Sequence, residues 1–316
     1  SITSSEVRHQ VFTGQAFDAH LPTGVSAYIR RHGLYKGVAH IGSTQLNLGA
    51  PRALIIADKS SVRAKEVKKR LKSLEHTDPN IIIVIGGDGT MLHAIRKYWR
   101  MRIPFVGINT GHRGFLLNDV GEKAVPKLFS KPMISWQCPL LVVETLREDG
   151  TRTESLAVND AWLQAEPGKS AWIEVSVDGA VRIPHLEGDG VLIATPAGST
   201  AYARAMGAPP LPVGEQLLVL AGSHVIHPAH WRSAILPVDA HVSLRSLDAT
   251  PHPRKRPVLG FIDGIAQGEV LSISAHVSNA AAAEVVFFPS YSPTEKLLDL
   301  QFPAHPDALI VKTPRA

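Results

Sequence analysis

Residues 81–90 read Ile-Ile-Ile-Val-Ile-Gly-Gly-Asp-Gly-Thr, a run that joins a carboxylate to a backbone suited to phosphate. Five consecutive β-branched residues are the pattern of a strand buried on both faces, as at the centre of a parallel sheet. Gly86 and Gly87 turn the chain, and the apolar spacing of Met91, Leu92, Ile95, Tyr98 and Trp99 predicts a helix directly after Thr90. Asp88 is therefore expected at the carboxyl end of a strand, where open α/β sheets place their ligands. Gly86, Gly87 and Gly89 remove side chains that would keep a phosphate from backbone N–H groups. A carboxylate repels what such a loop attracts, so its presence points to chemistry. It could take the proton of an attacking hydroxyl, or bind the metal of a nucleotide. The simpler alternative is a turn in which Asp88 only caps the helix. The whole strand–glycine–aspartate–helix unit favours function.

Three further clusters carry polar groups at turns. Asn109-Thr110-Gly111-His112-Arg113-Gly114-Phe115-Leu116 follows the next strand and reaches the same sheet edge as Asp88. Asn159-Asp160 offers an amide donor beside a carboxylate acceptor, a pair suited to ribose hydroxyls or an adenine edge, although an Asx-type turn would use the same residues. Residues 188–202 run Gly-Asp-Gly-Val-Leu-Ile-Ala-Thr-Pro-Ala-Gly-Ser-Thr-Ala-Tyr. There a carboxylate between glycines leads through a strand to a turn of small hydroxyl residues and one aromatic, a credible nucleoside pocket. Phe261-Ile262-Asp263-Gly264 reads by itself as a hairpin turn.

The elements that must position these groups change character along the chain. Leu54–Ala57, Ile81–Ile85 and Ile103–Ile108 read as strands, with helices at 62–74 and after Thr90, which implies a parallel, doubly wound Rossmann-like sheet over residues 51–135. From 136 to 290 short alternating strands dominate. Ile173, Val175 and Val177 turn at Asp178-Gly179 into Val181 and Ile183, and strands are expected at 217–220, 242–247, 258–262 and 270–274. This half is predicted to be a β-sandwich-like domain, with a loop and a cleft at the boundary near 131–139. Residues 1–50 stay unassigned apart from a short helix around Ala27–Arg31. The segment 291–316 is expected to pack back on the α/β domain.

Composition narrows the partners. The 316 residues include one cysteine, Cys138, so an intramolecular disulfide is excluded and thiol metal sites are disfavoured; a reducing, cytoplasmic setting is expected. No apolar run reaches membrane-span length, and Ser1–Glu6 do not resemble a signal peptide; a start at Ser rather than Met suggests processing or trimming. A net charge of +5 suggests an anionic partner without choosing one. The basic stretch Lys65–Lys72 is interleaved with Val67 and Leu71 at helical spacing, as on a solvated helix face, and lacks aromatic stacking platforms. Phosphorylated small molecules are expected as partners; nucleic acid and membrane are not.

Taken together, Gly-Gly-Asp-Gly-Thr-Met-Leu, Asn-Thr-Gly-His-x-Gly-Phe-Leu, Asn-Asp, Asp-Gly-Val-x-x-x-Thr-Pro-x-Gly-Ser-Thr-Ala-Tyr and a late Asp-Gly resemble the NAD kinase family in order and spacing from Ala53 to Gly268. The resemblance implies transfer of the γ-phosphoryl group of ATP, or of polyphosphate, to the 2′-hydroxyl of the adenosine ribose of NAD, with Mg2+ or another divalent cation. It implies Asp88 as general base and Gly86, Gly87 and Thr90 around the phosphates. Gly89, His93, Asn159, Asp160, Asp189, Thr200, Ala201, Tyr202 and Asp263 would contact NAD. No side chain is assigned to the metal, and a homo-oligomer, dimer or tetramer, is expected.

Two departures stand out. Many members of the family carry arginine where this chain has Glu187, a reversal expected to face the ligand unless Arg182 or His185 compensates. The usual Gly-Gly-Pro-Ile is Gly207-Ala208-Pro209-Pro210-Leu211. Lipid kinases of the diacylglycerol or sphingosine type share Gly-Gly-Asp-Gly-Thr but resemble it followed closely by Asn-Glu-Val. Here Met91-Leu92-His93 follows, and Asn159-Asp160 comes about seventy residues later. Phosphofructokinase shares only the glycine motif. A non-catalytic NAD(P)-binding regulator is the remaining rival, opposed by the retention of Asp88.

Overall fold

The computed structural model describes residues 48–111, 114–119, 132–248 and 255–302, together with 21–32, 44–46 and the single positions Val7, Gln10, Val11, Ala16, Phe17, Ala19 and Phe129. Helix α1 (Thr23–His32) covers the short helix expected around Ala27, and β1 (Thr44–Leu46) follows it.

The α/β layer forms as the β-branched runs require. Strands β2 (Ala53–Ala57), β3 (Ile81–Gly86) and β4 (Phe105–Asn109) pair in parallel. Every residue of β3 is buried, since helices cover both faces. Helix α2 (Val62–Leu71) buries Ala64, Val67 and Leu71 and leaves its lysines outward. Helix α3 (Asp88–Tyr98) buries Met91, Ala94 and Ile95. It starts three residues earlier than the periodicity implied, because Gly87 takes the N-cap position and Asp88 is already helical.

The loop expected near 131–139 is not what residues 133–139 form. Strand β5 (Met133–Leu146) occupies that stretch and runs for 14 residues. Its partner along nearly the whole length is β16 (Ser272–Phe287), antiparallel, with a register shift between Val277 and Ala282. The far end of β16 pairs in parallel with β4 through Val285 and Val286. The chain thus leaves the α/β layer along β5 and returns along β16, and a boundary at 135/136 cuts through a strand. Short polar interruptions such as Ser278-Asn279 make the two halves of β16 look separate in the sequence.

The β-rich half is a sandwich. Between β5 and β16 come β6 (Arg152–Ala157), β7 (Asp160–Ala165), β8 (Ala171–Val177), β9 (Ala180–Gly188), β10 (Gly190–Ala194), short helices α4 (Pro196–Ser199) and α5 (Tyr202–Ala205), then β11 (Leu217–Ser223), β12 (Ser233–Pro237), β13 (Val242–Ser246), β14 (Val258–Ile262) and β15 (Ile265–Glu269). One layer is the continuation of the α/β sheet through β16, β13, β8 and β9; the other is the antiparallel order β12-β11-β10-β7-β14-β15. Leu141, Val143, Ile173, Val175, Leu244 and Ile273 from the first pack against Leu163, Val191, Ile193 and Val258 from the second. Asp178 and Gly179, both with positive φ, make the expected hairpin turn between β8 and β9. Helix α6 (Pro293–Gln301) brings the C-terminal segment back against residues 114–119 of the α/β layer; residues 303–316 lie outside the described residues.

Candidate active site

Asp88 does not act as a cap. Its Oδ1 accepts N–H from Phe115 at 3.0 Å and Leu116 at 2.9 Å, and its Oδ2 accepts from Phe115 at 2.8 Å. Burial raises its pKa above the ordinary carboxylate value, opposed by the Phe115 and Leu116 hydrogen bonds and by the nearby Lys296 ammonium. A carboxylate so placed is a stronger base than one in water, and its orientation is fixed. Around it, Gly86 is glycine for packing: a Cβ there would lie 2.5 Å from Thr90 Oγ1. Cβ atoms on Gly87 and Gly89 would meet nothing within 4 Å. The space beside these two glycines, at the start of an 11-residue helix, suits an anion by helix-terminal N–H groups and dipole. His112 and Arg113 of the neighbouring loop lie outside the described residues.

One turn along α3, about 6 Å of axis, Leu92 lines a pocket of ≈ 380 Å³. Its other walls are Asn159, Asp160, Trp162, Ala201, Tyr202, Phe261, Asp263 and Gly264. Three rings form an apolar wall: Trp162 meets Tyr202 edge-on with centroids 4.7 Å apart and lies tilted on Phe261 at 5.1 Å. Trp162, Phe261 and Leu92 were not singled out from the sequence. The signal was available, because Trp162 is two residues from Asp160 on β7 and Phe261 two from Asp263 on β14, and the two face each other in register.

The polar wall is under-satisfied. Asn159 Oδ1 is buried without a hydrogen-bond partner. The Asp160 side chain, in a residue only 6% exposed, has no donor among the described residues. Burial, and then the neighbouring Asp263 charge, push its pKa up to about 7. Buried acceptors without donors are costly, and a ligand bearing hydroxyl or amino groups would relieve that cost.

Asp263 has a different part from the one expected. Its side chain is fully buried, and its two oxygens accept N–H from Val158 at 2.9 Å, Asn159 at 2.7 Å and Asp160 at 3.2 Å, with Arg96 Nε at 3.9 Å. It holds the Asn159–Asp160 backbone rather than offering oxygens to the pocket. A positive φ of 47° at Asp263 lets the hairpin aim its carboxylate this way. Gly198 completes the fit: a Cβ there would lie 2.1 Å from the Asn159 carbonyl oxygen.

Four expected NAD contacts fall outside the pocket. Thr200 spends its hydroxyl on the Ala197 carbonyl at 3.0 Å, and Ser199 likewise serves its own turn and the Leu211 N–H. Gly89 and His93 are exposed, one at the start of α3 and the other beside the lining residue Leu92. Asp189 lies outside this pocket within one chain. Gly190 pairs with Gln164 and Ala194 with Asp160, so Asp189 sits at the opposite end of the β7–β10 pair from the pocket, roughly 15 Å of strand away. There it pairs with His224 at 2.9 Å. Gly188 and Gly190 are glycines because Cβ atoms would meet the Ser223 and Leu163 carbonyls at 2.9 and 2.2 Å, and so do not mark ligand space. Glu187 lies at that same end. The Ser170 hydroxyl donates to it at 3.0 Å, and this bond, followed by the Trp172 indole, with Arg256 and His185 nearby, holds its carboxyl below the usual range. Within one chain it does not face the pocket, and Arg182 is not its partner.

The fold and pocket together define a protein of mixed α/β and β-sandwich architecture with a partly buried carboxylate at a glycine turn beside a nucleoside-sized pocket. Residues 39–131 match the family model of the ATP-NAD kinase N-terminal domain. The chain is 34% identical over 225 residues to an NAD kinase of Cereibacter sphaeroides, covering 71% of this chain and 87% of that protein. It is 34% identical over 239 residues to an NAD kinase of Brucella suis, covering 75% and 91%. Among solved structures it resembles the yeast NADH kinase complexed with NADH (TM-score 0.62, 19% identity, 72% of this chain and 68% of that one). It also resembles an NAD kinase from Archaeoglobus fulgidus in complex with ATP (TM-score 0.57, 23% identity, 78% and 96%); both likenesses concern the fold. The chain belongs to the NAD kinase family.

Proposed function

We propose that this chain phosphorylates NAD, transferring the γ-phosphoryl group of ATP to the 2′-hydroxyl of the adenosine ribose to give NADP. The observation that carries the reading is the juxtaposition of a fixed, partly buried carboxylate at a phosphate-receptive glycine turn with an under-satisfied nucleoside-sized pocket one helical turn away. The relatives named NAD kinase at 34% identity supply the reaction.

In this reading the adenosine sits against Trp162, Tyr202 and Phe261. Asn159 and Asp160 take its hydroxyl or amino donors, and Asp263 keeps those two residues in place without touching substrate. Asp88, with an Oδ2 lone pair not committed to the backbone, accepts the 2′-hydroxyl proton as the ribose oxygen bonds to the γ-phosphorus. The bond from that phosphorus to the β-bridging oxygen breaks, and the electron pair leaves with ADP. Positioning and charge neutralisation dominate such a transfer. The open space at Gly87 and Gly89 admits the phosphates near the start of α3. Among the described residues no three His, Cys, Asp or Glu side chains converge on a metal site. A divalent cation brought by the nucleotide would neutralise charge on the transferring phosphoryl group. Polyphosphate is the alternative donor by family resemblance.

The alternative of a non-catalytic regulator draws on Glu187 and on the altered loop Gly207–Leu211; within one chain Glu187 does not line the pocket. The same family membership underlies two further proposals, assembly into at least a dimer and residence in the cytoplasm. No helix among the described residues is long and apolar enough to cross a membrane.

The test is to incubate the pure protein with NAD, ATP and Mg2+ and to detect NADP with an NADP-specific dehydrogenase. Diacylglycerol and sphingosine micelles serve as competing acceptors. NADP formation supports the reading; faster phosphorylation of either lipid overturns it.

A further inference from the structure

The two N–H groups that hold Asp88 belong to peptide units whose carbonyls are also claimed. The peptide joining Gly114 to Phe115 donates its N–H to Asp88, and its carbonyl accepts from the Lys296 ammonium. The peptide joining Phe115 to Leu116 donates its N–H to Asp88 at 2.9 Å, and its carbonyl accepts from the Tyr291 hydroxyl at 2.8 Å. Each peptide thus lies between a donor from the C-terminal segment and the carboxylate. Lys296 also donates to the Leu117 carbonyl at 2.7 Å and pairs with Asp119 at 3.1 Å; its side chain is 16% exposed. Asp119 in turn accepts from Asn109 at 2.6 Å, at the end of β4. The tyrosine ring stacks on Phe287 with centroids 3.8 Å apart, which fixes it to β16.

We propose that Lys296 and Tyr291 are positioning residues for the base: through the two peptides of residues 114–116 they orient and polarise the N–H groups that hold the Asp88 carboxylate. A hydrogen bond to a peptide carbonyl strengthens the N–H on the other side of the same amide. An ammonium does so more than a neutral donor, because its bonds are charge-assisted. The arrangement puts the base of the α/β layer under the control of a helix that begins more than two hundred residues later. It also gives α6 a purpose beyond packing, since removal of either donor frees a loop carbonyl and lets the base rotate.

Among the described residues, the titratable groups facing this site are Lys296 and Tyr291 from the C-terminal segment, Asp119 from the loop, and the Cys138 thiol of β5 near the tyrosine. Burial raises the Tyr291 pKa further above its already high value, so it remains a donor across the working pH range. Cys138 is pushed up to about 12 and stays neutral. The Lys296 charge opposes the upward shift that burial gives the Asp88 carboxyl, and the Asp119 charge weakly adds to it.

This inference rests on Asp88 acting as base, and the test separates the two. The Asp88 carboxyl is titrated directly by 13C NMR, identified by its loss in Asp88→Asn, in wild type, Lys296→Met, Lys296→Arg and Tyr291→Phe. Steady-state NAD phosphorylation is measured in parallel across pH. In Lys296→Met the titration midpoint should rise, and the acid limb of kcat should rise with it. Its kcat should fall roughly 10- to 100-fold, with KM for NAD within about two-fold of wild type. Lys296→Arg should restore most of both, and Tyr291→Phe should show a smaller fall in kcat. If Lys296→Met leaves the Asp88 midpoint and kcat unchanged, the proposal is overturned. If Lys296→Met shifts the midpoint while the wild type makes no NADP, the brace stands and the kinase reading fails. Should Lys296→Met not fold, Lys296→Arg and Tyr291→Phe decide: no change of kcat or midpoint in both refutes the proposal.

Discussion

Asp160 should make the free protein less stable at neutral pH than in mild acid, and the size of the effect follows from its surroundings. Its carboxyl is buried beside the equally buried Asp263, with no donor to it among the described residues, and its pKa rises from 3.8 to about 7. At 1.36 kcal/mol per unit the shift is worth about 4 kcal/mol, a ceiling that relaxation will lower. The folded pKa lies above the unfolded one, so between these values the native state binds the extra proton. Stability is therefore fully retained below about pH 4 and is lost as pH rises through about 7. Asp160→Asn keeps the shape and removes the charge. Thermal unfolding of both proteins from pH 4 to 8 should show the mutant gaining on wild type as pH rises, by several degrees at pH 8 at about 2–4 °C per kcal/mol. Other acids with raised pKa, Asp88 included, cancel in the difference. NAD should narrow the gap in wild type by supplying the missing donors. A difference in melting temperature that stays flat across pH would refute the reasoning.

Gly198→Ala should drive a methyl into the Asn159 carbonyl, costing roughly 1–3 kcal/mol of stability and weakening NAD binding; a melting curve and a binding titration check both. Asp263→Asn loses charge on an acceptor shared by three backbone N–H groups, an expected cost of about 1–3 kcal/mol, with KM for NAD raised as the Asn159–Asp160 turn loosens. Tyr202→Ala removes one ring of the pocket wall and should weaken NAD by about 1 kcal/mol, whereas Tyr202→Phe should bind nearly as wild type; equal affinities in all three would exclude this ring from the site.

The α/β layer was legible because its signals are local. Five buried β-branched residues, a glycine turn and a 3.6-residue apolar period are enough to place β3, α3 and the base between them. Long-range closure was not legible. Nothing in Ala280–Ala283 announces that β16 continues past its register shift to lie beside β4, and the start of β5 was read as a boundary loop. The glycine-flanked Asp189 illustrates the other limit. Glycine beside a carboxylate leaves open space at Gly87 and Gly89 but serves a close backbone crossing at Gly188 and Gly190, and only the neighbouring chain distinguishes them. Asp263 looked like a hairpin residue by itself and a ligand contact by resemblance; its three backbone partners, more than a hundred residues away in sequence, make it an anchor. The Asn159–Asp160 pair, which lines the pocket, was readable from its adjacent amide and carboxylate, and the aromatic wall was within reach of strand alternation.

The central claim is that Asp88 takes the proton of the acceptor hydroxyl, and Asp88→Asn tests it most directly. The amide keeps the size and much of the hydrogen bonding of the carboxylate but has no basicity. Turnover of NAD to NADP and equilibrium binding of NAD should be measured on the same preparation. The account predicts kcat lowered by roughly 10²–10⁴-fold with NAD affinity nearly unchanged. An asparagine variant that turns over at close to the wild-type rate would contradict it.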